Sequence, residues 1–298
     1  MPANTNIELF RELPVRNSLA ESIIWNHQTQ TLWWTDIHAK KIYCSPWPFN
    51  ETQSWATPER LCSFGFTQDP EKLVAAFESG FAFYFPRTQQ LDWIARPEQT
   101  FFGTRFNDGR VDRQGRFWSG TLVEKPDAKN ANGEPTLGSI YCLNGKNCTQ
   151  EIPNIKATNS LCWSLDGNTL YYTDSPTREI RQLNLKEKNS QAKTFITTPE
   201  EIYPDGSIVD AHGYLWNAQW LGGKVVRYTP NGAIETEIKI PASQVTCICF
   251  AGPELDYLCV STATEDYTEE QLKAEPQAGN IFIFKTRWKG VQECFFNE

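Results

Sequence analysis

The sequence predicts an all-β protein with the architecture of a six-bladed β-propeller, in which each blade contains four antiparallel strands. Three observations support this fold class. A sequence phrase, which consists of a polar turn and a short strand, recurs with a period in the mid-forties of residues, and a second short strand follows each copy. Helical periodicity is scarce. A period of this length is typical of a four-stranded propeller blade. We expect residues 1–298 to form a single propeller domain, since closed β architectures of this length commonly fold as one unit.

The recurring phrase is a polar turn followed by a short strand rich in aromatic or β-branched residues. Its copies occupy residues 26–36, 71–77, 112–120, 166–174, 210–217 and 253–261. Tyr172, Trp216 and Val260 follow one another at intervals of 44, and Trp34 precedes Trp118 by 84, which is two units of 42. The longer interval after Trp118 contains a Pro-, Asn- and Gly-rich stretch at 124–138, which we interpret as an inserted loop.

A second short strand is predicted after each copy of the phrase, and six such strands imply six blades. They occupy residues 41–44, 81–85, 139–142, 179–183, 224–228 and 280–284. A short helical turn is predicted at 269–273. The chain ends are expected to close the ring together, and the candidate strands are 7–13 and 291–296. The alternative all-β architecture, a two-sheet sandwich, would not need a period of this length.

The charge, the N-terminal sequence and the cysteine content disfavour several classes of protein. The net charge of −8 disfavours nucleic acid as a partner, because phosphate binding needs a basic face. The N-terminus lacks the basic and apolar regions of a signal peptide, and no apolar stretch approaches a membrane span. Nine cysteines, an odd number without any Cys-x-x-Cys pair, are expected to be reduced and buried. We therefore expect a cytoplasmic protein without a membrane partner, either a monomer or a small homo-oligomer.

Four polar residues share nearly one phase of the repeat. Glu21 and Asn159 lie 13 residues before the aromatic position of their repeats, and Asn107 and Asp205 lie 11 residues before it. Because equal phase means equal position on successive blades, we expect all four to project from the same class of loop at one mouth of the channel. Two carboxylates and two amides are hard oxygen ligands for a cation. For any one of them, ordinary turn chemistry is the alternative explanation.

Three segments carry a resemblance to a known family. They read RFNDGRVDRQGRFWSGT at 105–121, TNSLCWSLDGNTLYYTDS at 158–175 and PDGSIVDAHGYLW at 204–216. These motifs resemble the signature of the gluconolactonase/regucalcin (senescence marker protein) family of sugar lactonases. The similarity extends from about Leu19 to Phe284. The resemblance implies a six-bladed propeller and an enzyme that hydrolyses sugar lactones with the help of a metal.

The resemblance also implies roles for individual residues. Glu21, Asn159 and Asp205 resemble the family's metal ligands. Arg105 and Asn107 resemble its substrate-contacting residues. The cofactor is then expected to be one divalent cation, either Ca, Zn, Mn, Mg or Fe, because oxygen ligands discriminate poorly among such ions.

Two positions depart from the family pattern. Residues 20–23 read Ala-Glu-Ser-Ile where the family usually has Gly-Glu-Gly-Pro or Gly-Glu-Ser-Pro, and 159–160 read Asn-Ser where the family has Asn-Gly. Both departures change the backbone freedom beside an expected metal ligand. A family carboxylate that binds sugar hydroxyls follows a Gly-Thr pair, and Glu124 is its nearest match here.

These residues predict a metal-dependent aldonolactone hydrolase whose partner is a small sugar lactone. The cation would polarise the lactone carbonyl, and Asp205 would act as the general base. Two alternatives remain open at this point: a non-catalytic calcium-binding regulatory propeller, and a related hydrolase that acts on other esters. A serine hydrolase is disfavoured because no Gly-x-Ser-x-Gly elbow occurs, and with only three histidines a His-based mechanism is also disfavoured.

Overall fold

The computed structural model describes residues 7–100, 103–125, 127–129 and 132–298, and this part of the chain is almost entirely β. Six four-stranded antiparallel sheets form a ring, which confirms the predicted six-bladed β-propeller. Residues 1–6 and residues 126, 130 and 131 of the predicted insertion at 124–138 lie outside the described residues. In that part of the chain which the structure describes, no helix has the length and apolar character that crossing a membrane requires.

The strands follow one another blade by blade. The chain enters through β1 (Glu8–Leu13). Blade 1 contains β2 (Ala20–Asn26), β3 (Thr31–Asp36), β4 (Lys41–Pro46) and β5 (Gln53–Ala56). Blade 2 contains β6 (Leu61–Phe66), β7 (Leu73–Phe77), β8 (Gly80–Phe85) and β9 (Gln90–Ala95). Blade 3 contains β10 (Thr104–Val111), β11 (Phe117–Val123), β12 (Gly138–Asn144) and β13 (Asn147–Ile155).

The second half of the ring repeats this order. Blade 4 contains β14 (Thr158–Trp163), β15 (Thr169–Asp174), β16 (Glu179–Asn184) and β17 (Lys193–Thr197), with a 3₁₀ turn at Ser175–Thr177. Blade 5 contains β18 (Tyr203–Val209), β19 (Leu215–Trp220), β20 (Lys224–Tyr228) and β21 (Ile234–Lys239). Blade 6 contains β22 (Val245–Ala251), β23 (Tyr257–Thr262) and β24 (Ile281–Lys285), and helix α1 (Glu269–Ala274) confirms the predicted helical turn.

The first strand of each blade lines the central channel. β2, β6, β10, β14, β18 and β22 contact one another around the axis. Every residue of β2, β6, β14 and β22 is buried, whereas β9 and β13 are largely exposed. Each blade therefore runs outward from a buried strand at the axis to a polar strand at the surface, as a propeller blade does.

The ring closes through the N-terminal strand. β1 pairs antiparallel with β24, so that Leu13 lies opposite Ile281 and Glu8 opposite Lys285. The prediction that 7–13 closes the ring is confirmed, but the same prediction for 291–296 is wrong. Those residues form no strand, because β1 already occupies the free edge of blade 6. They pack instead against blades 2 and 3, where the amide of Phe296 donates to the carbonyl of Phe66 at 2.8 Å.

The recurring sequence phrase has a specific structural cause. In blade 3 the buried carboxylate of Asp112 accepts hydrogen bonds from two amides of the following turn and from Trp118 Nε1 at 2.8 Å. In blade 5 Asp210 binds its own turn and Trp216 Nε1 at 2.9 Å. The aspartate satisfies both the turn and the indole, so a large aromatic ring can be buried between blades without an unpaired donor.

The interior between blades is apolar and holds the cysteines. A representative cluster joins blades 5 and 6 through Trp216, Phe250 and Trp288, whose rings make edge-to-face contacts. All nine cysteines are free, and all but Cys148 and Cys294 are buried, which agrees with the expected reduced thiols.

Arg110 places a charged group inside the channel. Its side chain extends from β10 and donates to the carbonyls of Ser207, Ile23 and Ile248, on β18, β2 and β22, at 3.2 to 3.4 Å. Glu293 of the C-terminal segment lies 3.6 Å away on the far side. Burial acts to lower the pKa of Arg110, but the Glu293 carboxylate raises it, so the guanidinium stays charged. Arg110 thus joins four blades.

We expect Arg110→Met to destabilise the protein by about 3–5 kcal/mol, because it leaves Glu293 and three carbonyls without their cationic partner. Urea denaturation would measure the free energy of unfolding. Arg113→Met is the matched control, since Arg113 also contacts the C-terminal segment, through the carbonyl of Gln292, but at an exposed position. Equal unfolding midpoints for the two variants would contradict the proposed role of the buried guanidinium.

Candidate functional site

The four residues of equal sequence phase line one cavity. Glu21, Asn107, Asn159 and Asp205 lie on β2, β10, β14 and β18, and together with Arg105 they border a space of about 230 Å³ at one mouth of the channel. The sequence therefore identified the set that converges. The prediction that they project from loops is wrong, since all four lie on innermost strands, where side chains face the axis directly.

Irregular strand pairing aims these side chains at the axis. The register shifts between Glu21 and Ile24 on β2 and between Asn159 and Cys162 on β14. Such a bulge places an extra residue in one strand and redirects the neighbouring side chain. At these bulges Ser22 and Ser160 adopt φ values of 52° and 62°, the left-handed region that favours glycine. Ser160, which stands where the family has glycine, thus occupies a position whose backbone conformation favours glycine.

A chain of hydrogen bonds connects the polar groups of the cavity. Arg105 Nη1 donates to Asn107 Oδ1 at 2.7 Å, and Asn107 Nδ2 donates to Asn159 Oδ1 at 3.0 Å. Asn159 Nδ2 donates to Ser175 Oγ at 2.9 Å, and this hydroxyl donates to the carbonyl of Pro204. The amide of Asn159 is therefore oriented, with its oxygen turned toward Asn107 and its nitrogen toward Ser175.

Glu124 lies behind Arg105. Its carboxylate accepts hydrogen bonds from Arg105 Nε at 3.0 Å and from Arg60 at 2.6 and 2.9 Å. Partial burial acts to raise the pKa of Glu124, but the hydrogen bonds from Arg60 and the charge of Arg105 lower it below its usual value. Glu124 is not among the described residues that border the cavity. What it contacts directly is the guanidinium that does.

The two carboxylates of the cavity are almost fully buried. Glu21 is 7% exposed and Asp205 is 5% exposed. Desolvation, with the nearby charge of Asp108, raises the pKa of Glu21 to about 8, and desolvation with the charge of Glu21 raises the pKa of Asp205 well above its usual value. Asp205 Oδ1 is buried and accepts no hydrogen bond from the described residues. Two buried acids that repel each other, one with an unpaired oxygen, fit the binding of a cation.

The donor set contains only two carboxylates, and Asn159 would supply the third oxygen. Among the residues that the structure describes, no three His, Cys, Asp or Glu side chains gather as a metal site of the usual kind. An amide oxygen with two carboxylates is a hard donor set, which suits Ca²⁺, Mg²⁺ or Mn²⁺ better than a soft ion. The residues present therefore fit the divalent cation that the sequence predicts.

Sequence reasoning missed several residues of the site. Asp108 accepts a hydrogen bond from the amide of Leu161 at 2.8 Å and adds a third negative charge near Glu21 and Asp205. Ser175 orients Asn159 from the 3₁₀ turn. Asp108 stands beside Asn107 in the same motif, so its adjacency was the available signal. Ser175 ends the second motif, but its contact with Asn159 could not be read from spacing.

Part of the cavity wall is apolar. Leu122, Pro176, Tyr203 and Trp220 border the same cavity as Arg105 and Asn107. Trp220 is partly exposed there. None of the three histidines borders the cavity, and His38 contacts it only through Glu265. This arrangement combines an apolar face with convergent polar groups, which is typical of sites for small polar ligands.

Comparison with known proteins decides the family. The family described as SMP-30/Gluconolactonase/LRE-like region matches residues 19–264. The chain belongs to this family. The L-arabinolactonase of Azospirillum brasilense is 32% identical over 94% of this chain and 93% of its own length. A Pseudomonas putida relative named 6-deoxy-6-sulfogluconolactonase is 28% identical over 93% of this chain and 94% of its own.

Solved structures agree with this membership. The crystal structure of the calcium-binding protein regucalcin from Agrobacterium tumefaciens superposes with a TM-score of 0.88 at 27% identity. The superposition covers 99% of this chain and 98% of regucalcin. Membership in the SMP-30/gluconolactonase family therefore rests on sequence and on fold over almost the whole chain.

The serine that follows Asn159 provides a test of the bulge. Ser160 Oγ donates to the carbonyl of Asp205 at 2.5 Å and accepts from Ser207 Oγ at 3.0 Å. We expect Ser160→Ala to destabilise the protein by about 2 kcal/mol, because it loses these buried hydrogen bonds and keeps a side chain in the left-handed region. Ser160→Gly loses the same bonds but no longer strains the backbone, so it should cost about 1 kcal/mol less. Urea midpoints would compare them, and an alanine variant as stable as the glycine variant would contradict this interpretation.

Proposed function

We propose that this protein is a metal-dependent sugar lactone hydrolase that opens an aldonolactone to the corresponding aldonic acid. One observation carries the proposal: buried Glu21 and Asp205, with an unpaired Asp205 oxygen, border the same cavity as the hydrogen-bonded pair Arg105 and Asn107. A cation site beside polar groups that can hold a hydroxylated ring is what lactone hydrolysis needs. The relatives named as lactonases support this reaction over ion binding alone.

Glu21, Asn159 and Asp205 would hold the cation. When bound, a divalent cation would polarise the lactone carbonyl and make a bound water easier to deprotonate. The hydrogen bonds to Asn107 and Ser175 fix the amide of Asn159 before the ion arrives, so little side-chain entropy remains to be lost. The similarity to a calcium-binding regucalcin makes Ca²⁺ the first ion to test, and the hard donor set makes Mg²⁺ and Mn²⁺ the next.

The proton transfers of the reaction are carried out by Asp205. Asp205 acts as the general base: its carboxylate takes a proton from the attacking water as the water oxygen bonds to the carbonyl carbon. The ester bond between the carbonyl carbon and the ring oxygen then breaks, and the proton passes from Asp205 to that oxygen. The product is an open-chain hydroxy acid.

Arg105 and Asn107 bind the oxygens of the sugar. Glu124 and Asn107 hold the guanidinium of Arg105 from two sides, so its orientation is fixed before the substrate arrives. We assign Glu124 to substrate binding through this contact with Arg105. The wall that contains Trp220 packs against the less polar face of the ring and reduces the access of bulk water.

The test is hydrolysis of a panel of aldonolactones, followed by acid release with a pH indicator, for the protein loaded in turn with several divalent metals. We expect turnover that a chelator abolishes and added metal restores. Asp205→Ala should reduce kcat by at least about 10³-fold with an unchanged thermal melting profile, since it removes both a ligand and the base. Glu254→Gln, which alters an exposed carboxylate, is the control.

Two other results would each overturn the proposal. Binding of calcium without turnover of any lactone would indicate a regulatory ion-binding propeller. Turnover of phosphoesters or other esters, but not of lactones, would indicate a related hydrolase with a different substrate. An active Asp205→Ala variant would remove the assigned base.

A further inference from the structure

Glu265 adds a carboxylate to the cavity that the reaction proposed above does not use. It lies in the long connection between β23 and β24, residues 263–280, which also contains α1. Its side chain borders the cavity together with Glu21, Arg105 and Asp205. Of the acidic residues at positions 265, 266, 269 and 270, only Glu265 borders the cavity.

Blades 1 and 6 both hold Glu265 in place. His38 Nε2, in the turn after β3, lies 2.5 Å from Glu265 Oε1. Gln244 Nε2 donates to the backbone carbonyl of Glu265 at 2.8 Å, and the amide of Thr264 donates to the carbonyl of Ser18 at 3.0 Å. The next residue, Asp266, has a φ of 56°, so the backbone here takes a constrained turn. The backbone of this segment is therefore fixed, and the contact with His38 orients the carboxylate.

Glu265 carries the one charge, among the described residues that border the cavity, that neither the cation nor Glu124 would balance. Among the described lining residues the charged ones are Glu21, Arg105, Asp205 and Glu265. A divalent cation would neutralise Glu21 and Asp205, and Arg105 already faces Glu124 at 3.0 Å. The hydrogen bond from His38 lowers the pKa of Glu265, although partial burial opposes it, so the group is ionised. The carboxylate of Glu265 is thus an oriented, anionic hydrogen-bond acceptor for a ligand that enters the cavity.

We infer that Glu265 accepts a hydrogen bond from a substrate hydroxyl and thereby selects uncharged polyhydroxy lactones over lactones that carry a phosphate, sulfonate or carboxylate group. This inference rests on the proposed lactonase function. A fixed carboxylate accepts a hydrogen bond from a hydroxyl group and repels a second anion. One residue therefore favours the binding of a neutral lactone and disfavours the binding of an anionic lactone. Anionic lactones are the relevant competitors, since the Pseudomonas putida relative is named for a sulfonated one.

Steady-state kinetics of the metal-loaded protein would test this inference with one neutral aldonolactone and its 6-phosphorylated counterpart. In Glu265→Gln the side chain keeps its shape but loses its charge. We expect KM for the neutral lactone to rise about 10-fold with kcat nearly unchanged, as for the loss of one charged hydrogen bond outside the reacting centre. The kcat/KM ratio of neutral to phosphorylated substrate should fall by at least about 10-fold.

Two further variants separate the role of Glu265 from general effects. Asp266→Asn removes the same charge from the exposed neighbouring residue, and asparagine tolerates its left-handed backbone, so the ratio should not change. Glu265→Asp keeps the charge, so it should retain most of the discrimination while KM for the neutral lactone rises. This variant keeps the test decisive if Glu265→Gln folds poorly, since loss of discrimination with the charge retained would overturn the inference.

The outcomes distinguish this inference from the function on which it rests. If the unaltered protein opens no lactone, the proposed function fails and the inference fails with it. If the unaltered protein is active but Glu265→Gln leaves the ratio unchanged, the inference alone is wrong. A ratio that falls equally in Asp266→Asn would assign the discrimination to the overall charge of the mouth and would also overturn it.

Discussion

The guanidinium of Arg110 is the constraint on which the channel depends. A buried cation must be surrounded by acceptors, and the carbonyls of β2, β18 and β22 can reach it only if those strands stand at one height and one distance from the axis. The group also balances charge along the channel. Asp108 interacts with it from the side of the cavity, and Glu293 lies 3.6 Å away in the C-terminal segment. Arg110 therefore places one fixed positive charge in the channel that acts on both Asp108 and Glu293.

The shift in strand register beside each innermost strand directs side chains toward the axis, where the site forms. In the described residues, all six pairings of first and second strands contain such a shift. Buried hydroxyls link neighbouring blades near this level. Ser63 bonds to Ser119 between blades 2 and 3, and Ser160 bonds to Ser207 between blades 4 and 5, each at 3.0 Å. The bulges expose backbone polar groups that the hydroxyls then satisfy. The site and the ring thus depend on the same local geometry.

Much of the fold could be predicted because its cause is local. The bond between Asp210 and Trp216 lies within one turn and one strand, and blade 3 repeats it with Asp112 and Trp118. The convergence of Glu21, Asn159 and Asp205 could be predicted for the same reason. Arg110 and Glu265 could not, because each acts through partners that are distant in the sequence and leave no periodic signal. The strand prediction for 291–296 fails because the apolar residues of this segment resemble a strand, while the competing partner of that edge, β1, lies at the other end of the chain.

The site draws its residues from two kinds of segment. The residues proposed for the reaction lie on innermost strands, as do Arg105 and Asn107, and these strands are buried and fixed by neighbours on both sides. Two further side chains proposed to act in substrate recognition, Glu124 and Glu265, lie in the connections at 124–137 and 263–280. In blade 2 the same connection spans only residues 78–79. Loops at the rim can change length and charge without disturbing the ring, whereas an inner strand cannot. A propeller of this kind can therefore keep one cation site and one general base while the chemistry of its mouth selects among lactones of different charge.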